Sequence, residues 1–349
     1  MAQVLLSAAL SLEEESRTDS EVRDRILRED PMWLAIGQFN ERNLLILDGL
    51  PKTIHLCWKL EYMGPDYDPL LTGGANAEDY TRKILTSGHL VTVCSFNEWN
   101  RDNLLRELPL LKAVDFRLQP IALKEDPGPV DRPAFRRRYG VREGEFLLGA
   151  AAVYHEAKGI DELARWLLSL PPEKSWKVVF SLITDREPEE IKAGWGARFG
   201  ASPCLERLHV RKGDYCQWEW MASFYRSIDL MLVNSCSDSW GRVVTEAAGL
   251  GTPVLVRRSS CGTNHVMPSL VLIDDLSALS YDSLVASLEQ GRARAPKLLA
   301  YSQRCFARDA IRQRWLRNLQ ASTPRPQQKE FARLLDEGAL GDIEYLLDW

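Results

Sequence analysis

The sequence has no cysteine pattern of the kind that marks a metal site or a disulfide framework. Its seven cysteines, at 57, 94, 204, 216, 236, 261 and 305, are odd in number, scattered, and never spaced Cys-x-x-C. Neither a zinc ribbon nor a stapled secreted domain is indicated, and a reducing cytoplasm is the expected compartment. Long hydrophobic runs are also missing: no stretch approaches the roughly 20 apolar residues of a membrane span. The opening MAQVLLSAALSLEEES has an apolar segment with no basic residue ahead of it and glutamates directly behind it, which is not the pattern of a secretory signal. Positive charge is short as well. The net charge is -5, with 14 Lys+Arg against 19 Asp+Glu over residues 1–124 and 30 against 30 in the remainder. The acidic excess is N-terminal, so nucleic acid and anionic membranes are not expected partners. Gly-x-Gly-x-x-Gly, Walker A, His-Glu-x-x-His and Gly-x-Ser-x-Gly are all absent, which removes the most direct signatures of dinucleotide binding, P-loop chemistry, zinc proteolysis and α/β-hydrolase catalysis.

What is present is an ordinary globular composition on a chain of 349 residues, 45% apolar and 27% charged, long enough for two cores. Apolar runs alternate with helix-compatible runs throughout, which argues for parallel sheets with crossover helices. In the first half, residues 43–48 (NLLILD), 53–58 (TIHLCW) and 90–95 (LVTVCS) read as buried strands, and residues 77–85 and 97–108 as helices. Residues 1–124 form a first α/β domain. The segment 125–133, rich in proline and acid, reads as a linker, and 134–300 as a second doubly wound α/β domain. Residues 301–349 read as appended helices that can pack back on the first domain.

Open parallel sheets bind ligands at the carboxyl ends of their strands, and two loops of the second domain carry chemistry there. Tyr154-His155-Glu156-Ala157-Lys158-Gly159 follows the small-residue strand FLLGAAAV. Lys158 at the start of the next helix is disfavoured by the dipole unless an anion is present, and a phosphate would meet both the ammonium and the free N–H groups. The alternative is a lysine reaching into water. In the second loop, residues 234–241, Ser235, Ser237, Asp238 and Ser239 offer oxygens ahead of a helix start near Trp240 and Gly241. Asp238 reads equally as a ligand or as a helix N-cap. Glu246 shares a helical side with Val243, Ala247 and Leu250, so its carboxylate needs donors, which ribose hydroxyls or internal groups would supply.

These residues resemble the C-terminal domain of retaining glycosyltransferases of the GT-B fold, in particular glycosyltransferase family 4. The family shows an acidic residue, seven residues, a Glu, and then Ala-x-x-x-Gly-x-Pro-Val; this chain has Asp238, Glu246 and Ala247 through Val254 in that order. Similarity continues in residues 224–229 (FYRSID) and 158–163 (KGIDEL) and spans about residues 133–275. The resemblance implies two Rossmann-like domains facing a cleft, the N-terminal one shortened. It implies transfer of a sugar from a nucleotide-diphosphate sugar, a UDP-sugar foremost, to an acceptor hydroxyl with retention, with neither metal nor cofactor. Lys158, Asp238 and His55 are then the catalytic candidates. Glu246, Ser239, Trp240, Gly241, Arg242, His155 and Lys212 are the donor-binding ones. The partners expected are the nucleotide sugar, a carbohydrate, glycan or protein acceptor, and a second copy or partner subunit completing the short N-terminal domain.

Three departures qualify the resemblance. Asp238 stands where the family has Glu, one methylene shorter. The family's Arg before Lys158 is replaced by Ala152 or Val153, leaving His155, Arg211, Lys212 or Arg242 to supply the second cation. The first domain lacks the family's Gly-Gly loop; Gly73-Gly74 falls later, in a turn-rich segment, and Asp66-Tyr67-Asp68 reads as a proline-flanked turn. His55 lies within a strand, where a buried, internally satisfied histidine is the competing assignment. Trp218 and Trp220 fit helix packing. Two further functions therefore stand beside the transferase: a catalytically weak or inactive nucleotide-sugar-binding partner, and a sugar-nucleotide epimerase.

Overall fold

The computed structural model spans the 349 residues and describes residues 5–7, 18–29, 33–37, 41–60, 77–200, 202–214, 217–236, 238–258, 262–267, 270–274 and 279–323. Ser237, Asp66-Tyr67-Asp68, Gly73-Gly74 and residues 324–349 of the expected appended helices lie outside the described residues. The chain forms two compact units, one of residues 1–122 with 308–349 and the other of residues 123–307.

In the first unit the strands β1 (Leu5–Ser7), β2 (Trp33–Gly37), β3 (His55–Lys59), β4 (Val91–Ser95) and β5 (Asp115–Leu118) form one parallel sheet in sequence order. Helices α1 (Asp19–Glu29), α2 (Glu41–Leu47), α3 (Ala77–Thr86) and α4 (Glu98–Glu107) lie between them. Thr18 starts α1 with a reciprocal cap: its N–H donates to Glu21 Oε2 at 2.7 Å and its hydroxyl accepts from Glu21 N at 3.3 Å. Alternation sorts the strands into two faces. Leu34, Ile36, Leu56, Trp58, Val91 and Val93 enter the helix-covered core. His55, Cys57, Thr92 and Cys94 are buried too, and they meet one another: His55 Nε2 lies 3.0 Å from Thr92 Oγ1, and the Cys57 and Cys94 sulfurs are 3.5 Å apart. The helix α11 (Arg308–Ser322) buries Ile311, Trp315 and Leu319, and Asn318 donates to Leu118 O at 3.3 Å and Gln119 Oε1 at 2.9 Å.

Residues 43–48 are a correction: they belong to helix α2, not to a strand. Four apolar residues in a row fit a strand or a helix equally. Here Ile46 and Leu47 are buried while Leu45 is 57% exposed, the one-sided pattern of a surface helix. The strand at that point is β2, which has no counterpart in the sequence expectations.

The second unit is a six-stranded parallel sheet of β6 (Phe146–Val153), β7 (Trp176–Ile183), β8 (Leu208–Lys212), β9 (Leu230–Val233), β10 (Val254–Arg257) and β11 (Val271–Ile273), in the order β11-β10-β9-β6-β7-β8. The order reverses between β6 and β9, as in a doubly wound sheet. Right-handed crossovers then put α6 (Ile160–Ser169) and α7 (Pro188–Phe199) on one face. The helices α8 (Trp218–Ser227) and α9 (Arg242–Gly249) take the other, with α5 (Arg132–Arg138) packed on α8; α10 (Tyr281–Phe306) packs on α9 while its Leu284 and Leu288 enter the core shared with α6 and α7. Gly149 explains the small-residue strand: a Cβ there would stand 2.5 Å from Phe224 of α8. Residues 125–133, expected as a linker, are tied to this unit: Trp218 Nε1 donates to Glu125 O at 2.5 Å, and Arg226 binds Gly128 O and Asp126.

One buried carboxylate ties three elements of this unit, α5, β6 and α10, to the residue before β9. Asp229, 7% exposed, accepts from Arg132 at 2.8 Å and Arg292 at 3.2 Å on one oxygen. Its other oxygen takes Arg136 at 2.8 Å and Leu147 N at 2.8 Å. Removing one partner of a buried ion network strands the rest. Asp229→Ala is expected to lower unfolding stability by about 3 kcal/mol in urea denaturation; a loss within about 0.5 kcal/mol, the size of ordinary surface substitutions, would show the network to be ornamental.

Candidate functional site

The chain leaves β6 toward β7 and leaves β9 toward β10, so the loops after these neighbouring strands diverge and open a crevice at the sheet's topological switch point. Local backbone chemistry fuses their roots. After β6, His155 Nδ1 accepts from Ala157 N at 3.2 Å and caps the short 3-10 turn Glu156–Lys158. Gly159 follows with φ 60°, where a Cβ would stand 2.5 Å from Asn234 O. Asn234 Nδ2 donates to Gly159 O at 2.8 Å, and Cys236 N to Ala157 O at 2.8 Å. Only glycine fits there.

That junction sets Lys158 beside Asp238. Their side chains form an ion pair of 2.9 Å, 12% and 19% exposed. The other Asp238 oxygen accepts from Trp240 N at 3.3 Å and Gly241 N at 3.0 Å. Asp238 thus caps the start of α9 and holds the ammonium at once, and Gly241 makes the turn with φ 74°. Ser239 and Trp240 are buried, the indole edge-on to Phe306 at 5.3 Å. The backbone here is clamped from outside, because Gly262 N donates to Asp238 O at 2.7 Å and a Cβ on Gly262 would collide with Ser239 O.

Glu246 lies one turn further into α9, and its environment is different. Tyr225 of α8 donates to Oε2 at 2.9 Å, while Arg242 Nε stands 4.0 Å from Oε1. The side chain is 13% exposed. Burial pushes its pKa above the usual carboxylate value, opposed by Arg242, Tyr225 and Lys124. Burial and the carboxylate beside it likewise push the Tyr225 hydroxyl up. An ionised carboxylate has about four acceptor positions, so this one keeps capacity for donors from a ligand.

The remaining candidates are placed as follows. Lys212, at the end of β8, pairs with Glu187 at 3.2 Å with both side chains well exposed. Arg211 stacks on Trp220 at 3.8 Å from the ring centroid, and Arg257 is held by Glu162 at 2.6 Å. Arg242, the first residue of α9 and 40% exposed, is therefore the best-placed second cation at the helix start. His55 belongs to the first unit and opens β3, at the amino end of that strand and not the carboxyl end. Burial pushes its pKa down to about 3, the Asp115 charge opposing, so it is neutral and hydrogen-bonded to Thr92. The structure does not bring it to the carboxyl ends of the strands.

An open cavity of ≈ 1020 Å³ adjoins the loop after β6, lined among others by Tyr154, His155, Asp161, Arg186, Arg198 and Cys236. Lys158, Asp238 and Glu246 are not on its wall, so it flanks the charged group on the α6–α7 side. Asp161 there is satisfied by Tyr154, Trp195 and Arg198 at 2.6 to 2.7 Å. Tyr225 and Asn234 lie in segments the sequence singles out, residues 224–229 and 234–241, but without a role of their own there, and Gly262 had no signal of its own. Each acts through a contact between segments far apart in the chain. Among the described residues no group of three His, Cys, Asp or Glu side chains could hold a metal, and no helix is long and apolar enough to cross a membrane.

No family model and no curated protein matches the sequence. Solved structures do match in shape. A sucrose-phosphate synthase from Thermosynechococcus elongatus is 16% identical with a TM-score of 0.68, over 87% of this chain and 78% of that one. Anabaena HepE, in complex with UDP, is 15% identical with a TM-score of 0.66, over 87% and 82%. An E. coli trehalose-6-phosphate protein bound with UDP-2-fluoro glucose is 15% identical with a TM-score of 0.62, over 84% and 76%. The fold is that of the GT-B glycosyltransferases.

The unequal treatment of the two carboxylates is measurable. A carboxyl with a raised folded pKa adds stability that is fully present below the ordinary value of 4.5 and is lost as pH rises through the folded value. Glu246→Gln keeps an acceptor for Tyr225 and removes the buried charge. It is expected to match or exceed the wild type in urea denaturation at neutral pH, by up to about 1 kcal/mol, with the difference closing toward acid pH. A Gln variant less stable than wild type by more than that would make Glu246 a structural anchor.

Proposed function

We propose that this chain is a glycosyltransferase that moves a sugar from a nucleotide-diphosphate sugar to an acceptor hydroxyl. The observation that carries the reading is Glu246, a carboxyl group buried with a single hydrogen-bond donor among the described residues, one helical turn from an N-terminus that anions favour. Ribose hydroxyls would complete its shell. The diphosphate would lie over the start of α9, with Lys158 and Arg242 as its cations and Ser239, Trp240 and Gly241 around it. The departing nucleoside diphosphate gathers negative charge, and fixed donors stabilise it where it forms. The carboxylates position more than they react.

Binding in this reading is an exchange. Asp238 occupies Lys158 and the Trp240 and Gly241 N–H groups in the free chain, and a diphosphate would take over some of those contacts, leaving Asp238 for the sugar hydroxyls. UDP as the nucleotide, retention at the anomeric carbon and independence of metal belong to the same proposal. The UDP ligands of two neighbours of like fold support the first, and the motif order supports the second. A second reading rests on the same pair: with Asp238 already filling the phosphate donors and only one lysine before α6, the chain could bind a nucleotide sugar and turn it over weakly or not at all.

A thermal-shift panel of UDP-, GDP-, ADP- and dTDP-sugars is the test, because a ligand that binds only the folded state raises its melting temperature. UDP-sugars are expected to give the largest rise, and Glu246→Ala to abolish it in calorimetry. Lys158→Ala should reduce turnover, followed as slow donor hydrolysis, by at least about a hundredfold, the size expected for losing one charge-stabilising group, and affinity by much less. Binding unchanged in Glu246→Ala would sink the ribose assignment, and binding without any hydrolysis would establish the second reading.

A further inference from the structure

The carboxyl ends of β3, β4 and β5 in the first unit enclose a second, smaller cavity, lined by Lys59, Leu60, Cys94, Ser95, Phe96, Gln119, Pro120 and Trp315. Ligand sites of parallel sheets lie at this end. Three of the lining residues carry a side-chain polar atom that is buried without a hydrogen-bond partner: Ser95 Oγ, Gln119 Nε2 and Trp315 Nε1. These residues are 2%, 4% and 1% exposed. A buried donor left unpaired is costly, so three grouped around one cavity call for a shared acceptor.

The wall is donor-rich. The indole N–H can only donate. Gln119 is oriented by its neighbour: Asn318 Nδ2 donates to Gln119 Oε1 at 2.9 Å, which leaves the amide NH₂ as its unpaired group. Lys59, 8% exposed, sets its ammonium 5.4 Å from the centroid of the Trp315 ring. An indole N–H, an amide N–H, a hydroxyl and an ammonium make the complement of a negatively charged oxygen. The interior has room for one water-sized group (≈ 10 Å³), enough for a single oxygen atom of a larger anion whose remainder lies at the mouth. A water would fit the same space but accepts only two hydrogen bonds and balances no charge.

We infer that the cavity formed by Ser95, Gln119, Trp315 and Lys59 is an oxyanion seat that takes one oxygen of a phosphate or carboxylate group. The group comes either from the acceptor or from a free anion. The acceptor source rests on the transferase reading; the seat itself does not.

The test is an NMR titration of the full chain carrying ¹⁵N-labelled tryptophan, with the Trp315 indole signal assigned by its loss in Trp315→Phe. Inorganic phosphate, acetate and chloride are titrated separately at constant ionic strength. A saturable shift of the Trp315 signal with phosphate or acetate is expected. Gln119→Leu, which keeps the volume and removes the donor, should weaken that binding by about tenfold, the worth of one hydrogen bond to a charged group. No shift with any anion, a shift that never saturates, a shift with chloride alone, or equal binding by Gln119→Leu would each overturn the seat. These readouts need no turnover, so they fail independently of the proposed function. The source is then read from donor turnover with phosphorylated, carboxylated and neutral sugars as acceptors. Competition between phosphate and an anionic acceptor assigns the seat to the acceptor, and a change in donor turnover without competition assigns it to a free anion.

Discussion

The site in the second unit depends on one close approach, that of Gly159 to Asn234. The two residues root the loops after β6 and β9, neighbouring strands whose chains then run apart. Their contact has no room for a side-chain carbon on Gly159, and that position also demands a left-handed backbone that β-carbon-bearing residues adopt at a cost. Given that approach, Lys158 has to emerge beside the start of α9. The Asn234 amide and the Cys236 N–H then close the remaining backbone groups, so the crevice is built from satisfied main chain and its charged side chains are left for chemistry.

Electrostatics follows from the same geometry. An ammonium near a helix start is unfavourable, and a carboxylate there is favourable; pairing Lys158 with Asp238 lets the carboxylate answer both. The pair is largely buried, so its attraction is screened less than a surface pair but is offset by desolvation of both groups. A ligand carrying two phosphates brings more negative charge than Asp238 does and can displace it from the ammonium without leaving either group unpaired. This gives a physical reason for a shorter acid at position 238: Asp reaches the Trp240 and Gly241 N–H groups and Lys158 together, whereas a longer side chain would overreach the local cap.

The alternation of apolar and amphipathic runs made the parallel α/β class legible, and the second unit's elements from β6 to β10 fall close to the apolar runs because β6, β7, β9 and β10 are buried over most of their length on both faces. The Lys158 loop, Asp238 and Glu246 were legible because the chemistry concentrates in two short segments. What was not legible arises between segments. Tyr225 completes Glu246 from another helix, Gly262 clears space for a carbonyl twenty-three residues away in the chain, and Asp229 gathers guanidinium groups from α5 and α10. The first unit was read least well. Residues 43–48 are apolar enough for either period, and only the exposure of Leu45 with the burial of Ile46 shows the helix. His55 looked available for chemistry because a histidine in a strand has no sequence sign of its position along it, and the register places it at the amino end.

The contrast between the two carboxylates separates structure from function within the site. Asp238 is well partnered: its oxygens accept two backbone N–H groups and an ammonium. Glu246 is held by one tyrosine and a distant guanidinium in a place that burial makes costly for a charge. A fold selected for stability alone would replace such a group by an apolar or neutral one, since a charge that is desolvated and poorly paired costs more than it returns. A carboxyl group that burial pushes up and that has few partners marks where binding or chemistry happens. The unmet acceptor capacity of Glu246, facing a helix start already arranged for negative charge, therefore points to a ligand that offers hydroxyl donors and an anion within a few ångströms of each other, and a nucleoside diphosphate has both.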